Sequence, residues 1–149
     1  MAHAKRTLWQ KSRYWLNALL IAAPVYFLVT SLIPAVKPEP WKEQAIGPFS
    51  AVPTPADNEP PYQHDGEWVK DFNVKFCDGC VAKIRFAYMS VGTQPAPIPI
   101  DGEGLLHGNN QVQQAHTPYP LQLTDQDKLW ISVQEWDGTL HHASWALGT

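Results

Sequence analysis

Acidic side chains are absent from the first 38 residues of this chain. All fourteen Asp and Glu residues follow position 38, whereas four basic residues precede position 15: Lys5, Arg6, Lys11 and Arg13. Residues 15–36 contain no charged side chain of either sign. An uncharged run of this length can cross the ~30 Å hydrocarbon core of a bilayer as a helix. Because positive flanking charge stays in the cytoplasm, the sequence predicts one membrane helix with a cytoplasmic N-terminus.

A cleaved signal peptide would share the basic start and the apolar middle. The apolar run here is longer than the ~7–15 residues of a signal-peptide core. The candidate cleavage site, Ile33-Pro34-Ala35, breaks the required small-x-small pattern. We therefore expect a retained anchor, with the remaining chain on the outer side of the membrane.

Basic residues are scarce beyond the apolar run. Seven Lys and Arg residues face fourteen acids there, a balance of −7. Nucleic-acid binding calls for clustered positive charge, so this class of partner is excluded. The remaining 113 residues suffice for one small domain. The predicted organisation is a cytoplasmic tail (1–14), a membrane helix (15–36), a spacer (37–66) and a β-rich domain (67–149).

The predicted spacer is defined by seven prolines between residues 37 and 66. Proline fixes φ and lacks an N–H donor, so a regular helix or a central strand is not expected. A semi-rigid, extended segment is typical of such composition. The apolar residues Ile46, Phe49 and Val52 indicate that part of it packs as an edge strand.

Alternating polar and apolar residues predict strands in the rest of the chain. The pattern covers 71–76, 111–119 and the pair 128–136 and 139–147, which Asp137-Gly138 joins as a hairpin. A two-residue turn there places Trp130 opposite Trp145 and Gln134 opposite His141. Residues 81–89 fit a short helix after the Cys77-x-x-Cys80 motif, with a hairpin back onto 71–76 as the alternative. The predicted fold class is thus a single N-terminal transmembrane helix plus a small exported domain, β-rich and antiparallel, sandwich-like or α+β.

Cysteine occurs only twice, as Cys77 and Cys80. In an oxidising compartment the pair favours a structural disulfide. A redox pair and a soft-metal site for Cu, Zn or Fe remain alternatives. Covalent haem attachment is excluded because Val81, and not His, follows the second cysteine.

Few other residues are candidates for catalysis, metal binding or contact with a partner. Neither a nucleophile beside its base nor a phosphate-binding loop is present in the sequence, so we expect no enzymatic activity apart from redox work by the cysteines. His107, His116 and His141 are candidate metal ligands, although each is compatible with a solvated or core histidine. Trp130, Trp136 and Trp145 are candidate interface residues, because Trp is enriched at interfaces. The competing interpretation is that these rings fill a thin core.

One family resemblance rests on short motifs: Phe76-Cys-Asp-Gly-Cys80, Ile84-Arg85, Ala87-Tyr88, Val91-Gly92, Leu129-Trp130 and Glu135-Trp136-Asp137-Gly138. Over residues 68–147 the chain resembles small single-pass inner-membrane proteins of bacteria. Those proteins occur alongside PepSY-type membrane proteins and TonB-dependent receptors of iron uptake. The resemblance implies an anchor in a bacterial inner membrane and a periplasmic domain. It also implies a non-enzymatic accessory subunit with an inner-membrane partner, linked to metal or iron-complex uptake. The alternatives are a tethered thiol-disulfide or soft-metal-transfer protein and a purely structural subunit.

Overall fold

The computed structural model describes residues 8–34, 36–108 and 111–147. The chain divides into two compact units, Met1–Val36 and Lys37–Thr149. The first contains the helix α1, and the second contains all the strands. The predicted class of one apolar N-terminal helix followed by a small antiparallel β-rich domain is confirmed.

Helix α1 spans Leu8–Ser31. Its part Ser12–Ser31 has a mean hydropathy of 1.5 and no buried residues, so it is long and apolar enough to cross a membrane. A signal sequence near an N-terminus meets the same criterion. Its start differs from the prediction, because residues 8–14, which the sequence assigns to the cytoplasmic tail, are already helical. Residues 1–7 of that predicted tail lie outside the described residues. The helix also ends before residue 36, since the residue preceding Pro34 is disfavoured in α geometry.

Within the described residues, the second unit contains eight strands. They are β1 (Gln44–Ile46), β2 (Phe49–Pro55), β3 (Tyr62–His64), β4 (Glu67–Phe76), β5 (Ile84–Gly92), β6 (Val112–Pro118), β7 (Lys128–Glu135) and β8 (Leu140–Ala146). In the first sheet β4 is central: β6 pairs along one edge, while β2 and β3 share the other, and β1 continues beyond β2. The second sheet has the order β5-β7-β8. All pairings are antiparallel.

Residues 104–107 join the two sheets along one side. Towards β5, the Met89 N–H donates to the Gly104 carbonyl and the Leu106 N–H to the Ala87 carbonyl. Towards β6, the Gly104 N–H donates to the His116 carbonyl, and His107 exchanges two hydrogen bonds with Gln114. This connecting segment makes a nearly continuous ladder from β6 to β5.

Side chains close the opposite side. The Trp145 indole Nε1 donates to the Lys42 carbonyl at 2.6 Å, and the Gln44 amide donates to the Ser144 carbonyl at 2.8 Å. The two sheets therefore enclose one core, as in a partly closed barrel. Its fully buried side chains come from both sheets and include Phe72, Phe76, Ile46, Met89, Leu129, Ile131 and Val133.

The predicted spacer at 37–66 is wrong for its central part, which contains β1, β2 and β3. Phe49, Ala51 and Pro53 point into the core in alternation. Pro53 is tolerated inside a strand because its carbonyl still accepts the Trp41 N–H. The packing expected of Ile46, Phe49 and Val52 is confirmed for the first two, which are buried. Val52 points to the other face of β2 and is only partly buried.

The short helix predicted within 81–89 is also wrong. Only a single 3₁₀ turn, Val81–Lys83, separates the cysteines from β5. The hairpin alternative is wrong as well, because β5 pairs with β7 in the second sheet. Ala87, Tyr88, Met89 and Ser90 are consecutively buried because both faces of β5 are covered. Ala87 and Met89 belong to the core, whereas Gly104 packs against the Tyr88 ring and the Ala96 N–H donates to Ser90 Oγ on the other face. This continuous burial explains why the strand carries no simple alternation.

The C-terminal hairpin is confirmed, but its register is shifted by one residue. The Gly138 N–H donates to the Glu135 carbonyl and the Glu135 N–H donates to the Thr139 carbonyl, which makes a three-residue loop. Gly138 has φ +92°, as this loop type requires. Leu129 therefore faces Trp145, and Val133 faces His141. The shift turns Trp145 into the core, where 3% of its surface is exposed.

Candidate metal-binding site

Three strands bring polar side chains together on the outer face of the first sheet. In the β4–β6 ladder Asp71 pairs directly with His116. On the other edge of β4, β3 ends at His64, and a two-residue turn of Asp65 and Gly66 follows. Both turn residues have positive φ, +47° and +90°, as expected of a type I′ hairpin. The tight turn fixes the position of the His64 and Asp65 side chains.

His64 is the centre of a group of possible ligand atoms. Its Nε2 lies 3.8 Å from Oε1 of Glu103 and 3.9 Å from Oδ2 of Asp65. The ligand atoms of these three residues all lie within 4.8 Å of one another. Glu103 is the most enclosed of the three, with 17% of its side chain exposed. Ligands of a tetrahedral Zn²⁺ site are about 3.4 Å apart, given Zn–N and Zn–O bonds of ~2.1 Å. Small side-chain movements therefore suffice to hold an ion.

His116 extends this group on the β6 side. Its ring stacks on the His64 ring with centroids 4.8 Å apart, and the His107 ring centroid lies 6.0 Å from it. Nδ1 of His116 is 2.7 Å from Oδ1 of Asp71. With Nδ1 engaged by a carboxylate, Nε2 is the nitrogen left for a ligand, as in carboxylate–histidine–metal arrangements.

Tyr62 completes the support of His116. Its hydroxyl lies 3.0 and 3.1 Å from the two oxygens of Asp71 and 3.2 Å from Nδ1 of His116. Loss of solvation, and then the hydrogen bond and negative charge of Asp71, raise the pKa of the Tyr62 hydroxyl. The hydroxyl therefore stays protonated at neutral pH and donates to Asp71. This contact holds the carboxylate against the imidazole.

We call His64, Asp65, Asp71, Glu103, His107 and His116 the histidine cluster. Its donor set is imidazole nitrogen and carboxylate oxygen, which suits Zn²⁺, Cu²⁺, Ni²⁺ and Fe²⁺. The cluster lies at the surface and is partly exposed, so an ion can reach it from solvent. The connecting segment supplies His107, and the loop before it supplies Glu103.

The structure brings together two of the three histidines predicted as metal ligands. His107 and His116 are in the cluster, whereas His141 is not one of its members. Its Nε2 lies 2.7 Å from Oε1 of Glu135, and its ring meets Phe49 edge-on. His141 therefore belongs to a separate pair at the end of the C-terminal hairpin.

Cys77 and Cys80 form a disulfide, with Cα atoms 5.4 Å apart. Cys80 is buried in the core, and Cys77 Sγ accepts the Ser50 N–H at 3.3 Å. In this state neither sulfur is a thiolate that could bind a metal.

The three predicted interface tryptophans have different surroundings. Trp145 is buried and Trp130 is half-buried, with its Nε1 donating to the Gly92 carbonyl. Trp136 remains 68% exposed, and its Nε1 donates to the Ala82 carbonyl. Of the three, only the Trp136 ring is available for a large contact with a partner.

Sequence reasoning missed the central ligand, His64. It lies in the proline-rich stretch that predicted a spacer, so it was given no site. The signal that could have found it is Asp65-Gly66, a strong hairpin dipeptide between Tyr62–His64 and the alternating residues of β4. Asp71 approaches His116 only through the pairing of β4 with β6. Glu103 is positioned by the hydrogen bonds of the adjacent Gly104 to His116 and Met89, and the sequence displays neither contact.

Comparison with known proteins gives a family without a described activity. The family model described as uncharacterised conserved protein UCP029505 matches residues 8–148. No curated protein and no solved structure matches the chain.

Proposed function

Because the chain belongs to this uncharacterised family, we propose its function from its own geometry: it is a membrane-anchored domain that binds a transition-metal ion outside the cytoplasm. The observation that carries this proposal is the convergence of His64, Glu103 and Asp65, with ligand atoms within 4.8 Å of one another. The activity is binding and delivery, not catalysis.

The roles within the histidine cluster follow from its contacts. The first three ligand atoms come from His64, Asp65 and Glu103. The His116 ring, which stacks on His64, lies outside this set and supplies Nε2 as a fourth ligand only after a side-chain movement. Asp71 and Tyr62 hold the His116 ring through Nδ1 and keep Nε2 free. His107 lies at the edge of the group and can replace a weak carboxylate ligand.

Metal binding is tested on the full-length chain purified in detergent. Equilibrium dialysis against Zn²⁺, Cu²⁺, Ni²⁺ or Fe²⁺, followed by elemental analysis, measures the bound ion per chain. We expect one ion per chain and a loss of at least about tenfold in affinity for His64→Gln. His142→Gln is the matched control, because His142 contacts Ser132 on the second sheet.

The proposal fails if the wild-type chain binds no ion stoichiometrically. It also fails if His64→Gln binds as tightly as His142→Gln. Thermal unfolding of the metal-free variants, which we expect to coincide, separates loss of the site from loss of the fold.

The anchor and its orientation are part of the proposal. Helix α1 has the length and hydropathy of a membrane span, and the basic residues before it favour an N-terminus inside. Protease added to intact spheroplasts should therefore degrade a C-terminal tag and spare an N-terminal one. The opposite pattern, or release of the domain from the membrane by alkaline carbonate, contradicts a retained anchor.

An accessory role with an inner-membrane partner in metal or iron-complex uptake is supported by the family resemblance in sequence and by the exposed Trp136 ring. A photocrosslinking amino acid at position 136 should capture one specific membrane protein in living cells. The same probe at Leu121, which is similarly exposed in a loop, is the control. Equal capture from both positions contradicts a partner surface at Trp136.

A further inference from the structure

A second candidate site lies where the start of β5 meets the connecting segment. It is a half-open cavity of about 350 Å³. Its lining is mixed, and the apolar side chains come from Phe76, Val81, Ile84, Phe86, Ala87 and Leu106. Arg85 and His107 supply charged and polar groups at the same cavity. The volume is at the lower end of the ~300–1,000 Å³ typical of small-molecule sites.

A β-bulge gives this cavity its arginine. Ile84 pairs with Glu135 and Phe86 pairs with Gln134, so Arg85 is an extra residue in β5. A bulge turns consecutive side chains towards the same side of a strand. Arg85 and Phe86 are accordingly both exposed, and the Arg85 guanidinium carbon lies 5.3 Å from the centroid of the Phe86 ring. The bulge therefore presents a cation and an aromatic face together.

The positive charge at this cavity is not neutralised by the protein. None of the five ion pairs among the described residues involves Arg85 or its neighbour Lys83. The rest of the exported chain is strongly acidic. An isolated cationic patch beside apolar walls attracts an anion and gives it a place for its apolar part.

We propose that this cavity binds a small aromatic carboxylate. The ring of the ligand lies against Phe86 and the aliphatic wall, and its carboxylate accepts two parallel hydrogen bonds from the Arg85 guanidinium, a geometry that arginine favours. This binding site shares His107 with the histidine cluster, and its other lining residues lie outside the cluster.

The disulfide shapes one wall of the cavity. Val81 follows Cys80 directly, and the Lys83 N–H donates to the Cys80 carbonyl at 2.9 Å, which fixes the 3₁₀ turn. Ile84 then enters β5 next to the bulge. The cysteine pair thus holds Val81 and Ile84 at the positions that the ligand requires.

The probe for this site is 4-(trifluoromethyl)benzoate, observed by fluorine NMR with the full-length chain in detergent. We expect saturable binding, and a loss of about 10- to 100-fold in affinity for Arg85→Gln, because hydrogen bonds to charged groups are strong. Lys128→Gln is the matched control. Lys128 is an exposed cation on β7, six residues and about 20 Å along the strand from the partner of Phe86.

The neutral isostere 4-(trifluoromethyl)benzamide distinguishes a carboxylate site from a general apolar surface or the detergent. We expect it to bind much more weakly than the benzoate and to be insensitive to Arg85→Gln. Equal binding of the two probes to the wild-type chain overturns the proposal, as does unchanged benzoate binding by Arg85→Gln. Metal-free protein is used throughout, so failure here leaves the metal site unaffected.

Discussion

Nδ1 of His116 lies 2.7 Å from Oδ1 of Asp71 across the β4–β6 ladder. The same separation joins Nε2 of His141 to Oε1 of Glu135 in the C-terminal hairpin. The two pairs have equal distances, but of the two histidines only His116 lies beside other histidine rings, those of His64 and His107. The domain therefore contains its own control for the effect of a carboxylate on a histidine ligand.

Asp71→Asn should weaken metal binding by about 10- to 100-fold, because the carboxylate orients His116 and increases its basicity. Titration of the full-length chain with the ion that it binds most tightly measures the change. Glu135→Gln removes the equivalent carboxylate from His141 and should leave the affinity unchanged. Equal losses in both variants would mean that the carboxylates act through general charge and not through His116.

Gly104→Ala should destabilise the domain by about 3–4 kcal/mol. Gly104 has φ +88°, and a Cβ there would collide with the Met89 carbonyl and the Tyr88 ring. Gly102→Ala, two residues earlier, shares the positive φ (+112°) but meets nothing within 4 Å. Gly102→Ala should lower the free energy of unfolding by only about 1–2 kcal/mol, because only the unfavourable positive φ contributes.

Chemical denaturation measures the free energy of unfolding of both glycine variants. Gly104→Ala should in addition weaken metal binding, since it displaces the neighbouring Glu103. A similar stability for the two variants would contradict the close contact between the connecting segment and β5.

Replacing both Cys77 and Cys80 by Ser should lower the free energy of unfolding by about 2 kcal/mol, the chain-entropy value for so short a loop. Reductant should lower the stability of the wild-type chain by the same amount and leave the double variant unchanged. Metal binding should be retained in the double variant, because the histidine cluster contains neither sulfur.

The redox alternative predicts a different result for the single variant Cys80→Ser. If the pair exchanges disulfides with other proteins, Cys77 of this variant should accumulate mixed disulfides in cells. A structural disulfide gives none, and non-reducing electrophoresis with and without alkylation distinguishes the two.

Asp137 makes the hairpin loop sensitive to acid. The Thr139 N–H donates to Oδ1 of Asp137 at 2.9 Å, and this hydrogen bond lowers the pKa of Asp137 below its ordinary value of 3.8. A lowered pKa in the folded state stabilises the fold above pH 3.8, and this stabilisation disappears as the pH falls through the folded-state pKa.

Asp137→Asn should therefore melt at a lower temperature than the wild-type chain at pH 7. The difference between the two should shrink below about pH 4. Thermal melts across this pH range, monitored by circular dichroism, provide the measurement. A difference in melting temperature that stays constant at all pH values would show that asparagine destabilises the loop for reasons other than the lost charge.

The sequence predicts those elements that are specified by local pattern. The uncharged run at 15–36 identifies the helix, because charge is excluded from a membrane span whatever its neighbours are. The alternation around Asp137-Gly138 identifies the last hairpin for a similar reason. Its register depends instead on whether the loop contains two or three residues, and Asp-Gly is compatible with both.

Elements that depend on distant partners were missed. Pro53 argues against a strand locally. The sheet tolerates it because the Pro53 carbonyl points away from β4 and accepts the Trp41 N–H, so β4 needs no donor from Pro53. Residues 84–92 lack alternation because both faces of β5 are covered. The core lies on one face, and the loop residues Ala96 and Gly104 cover the other. His64 joins Glu103 and His116 only when β3 and β6 flank β4, so the ligand set could not be read from spacing.

The connecting segment is hydrogen-bonded to both sheets. It contains His107 and directly follows Glu103, and both residues belong to the histidine cluster. An ion that immobilises Glu103 and His107 therefore stiffens the ladder from Gln114 to Met89. The amide protons of Gln114 and Met89 should exchange with deuterium more slowly as the site fills. Each sheet therefore contains one amide proton whose exchange rate reports whether the metal site is occupied, without any label on the ion.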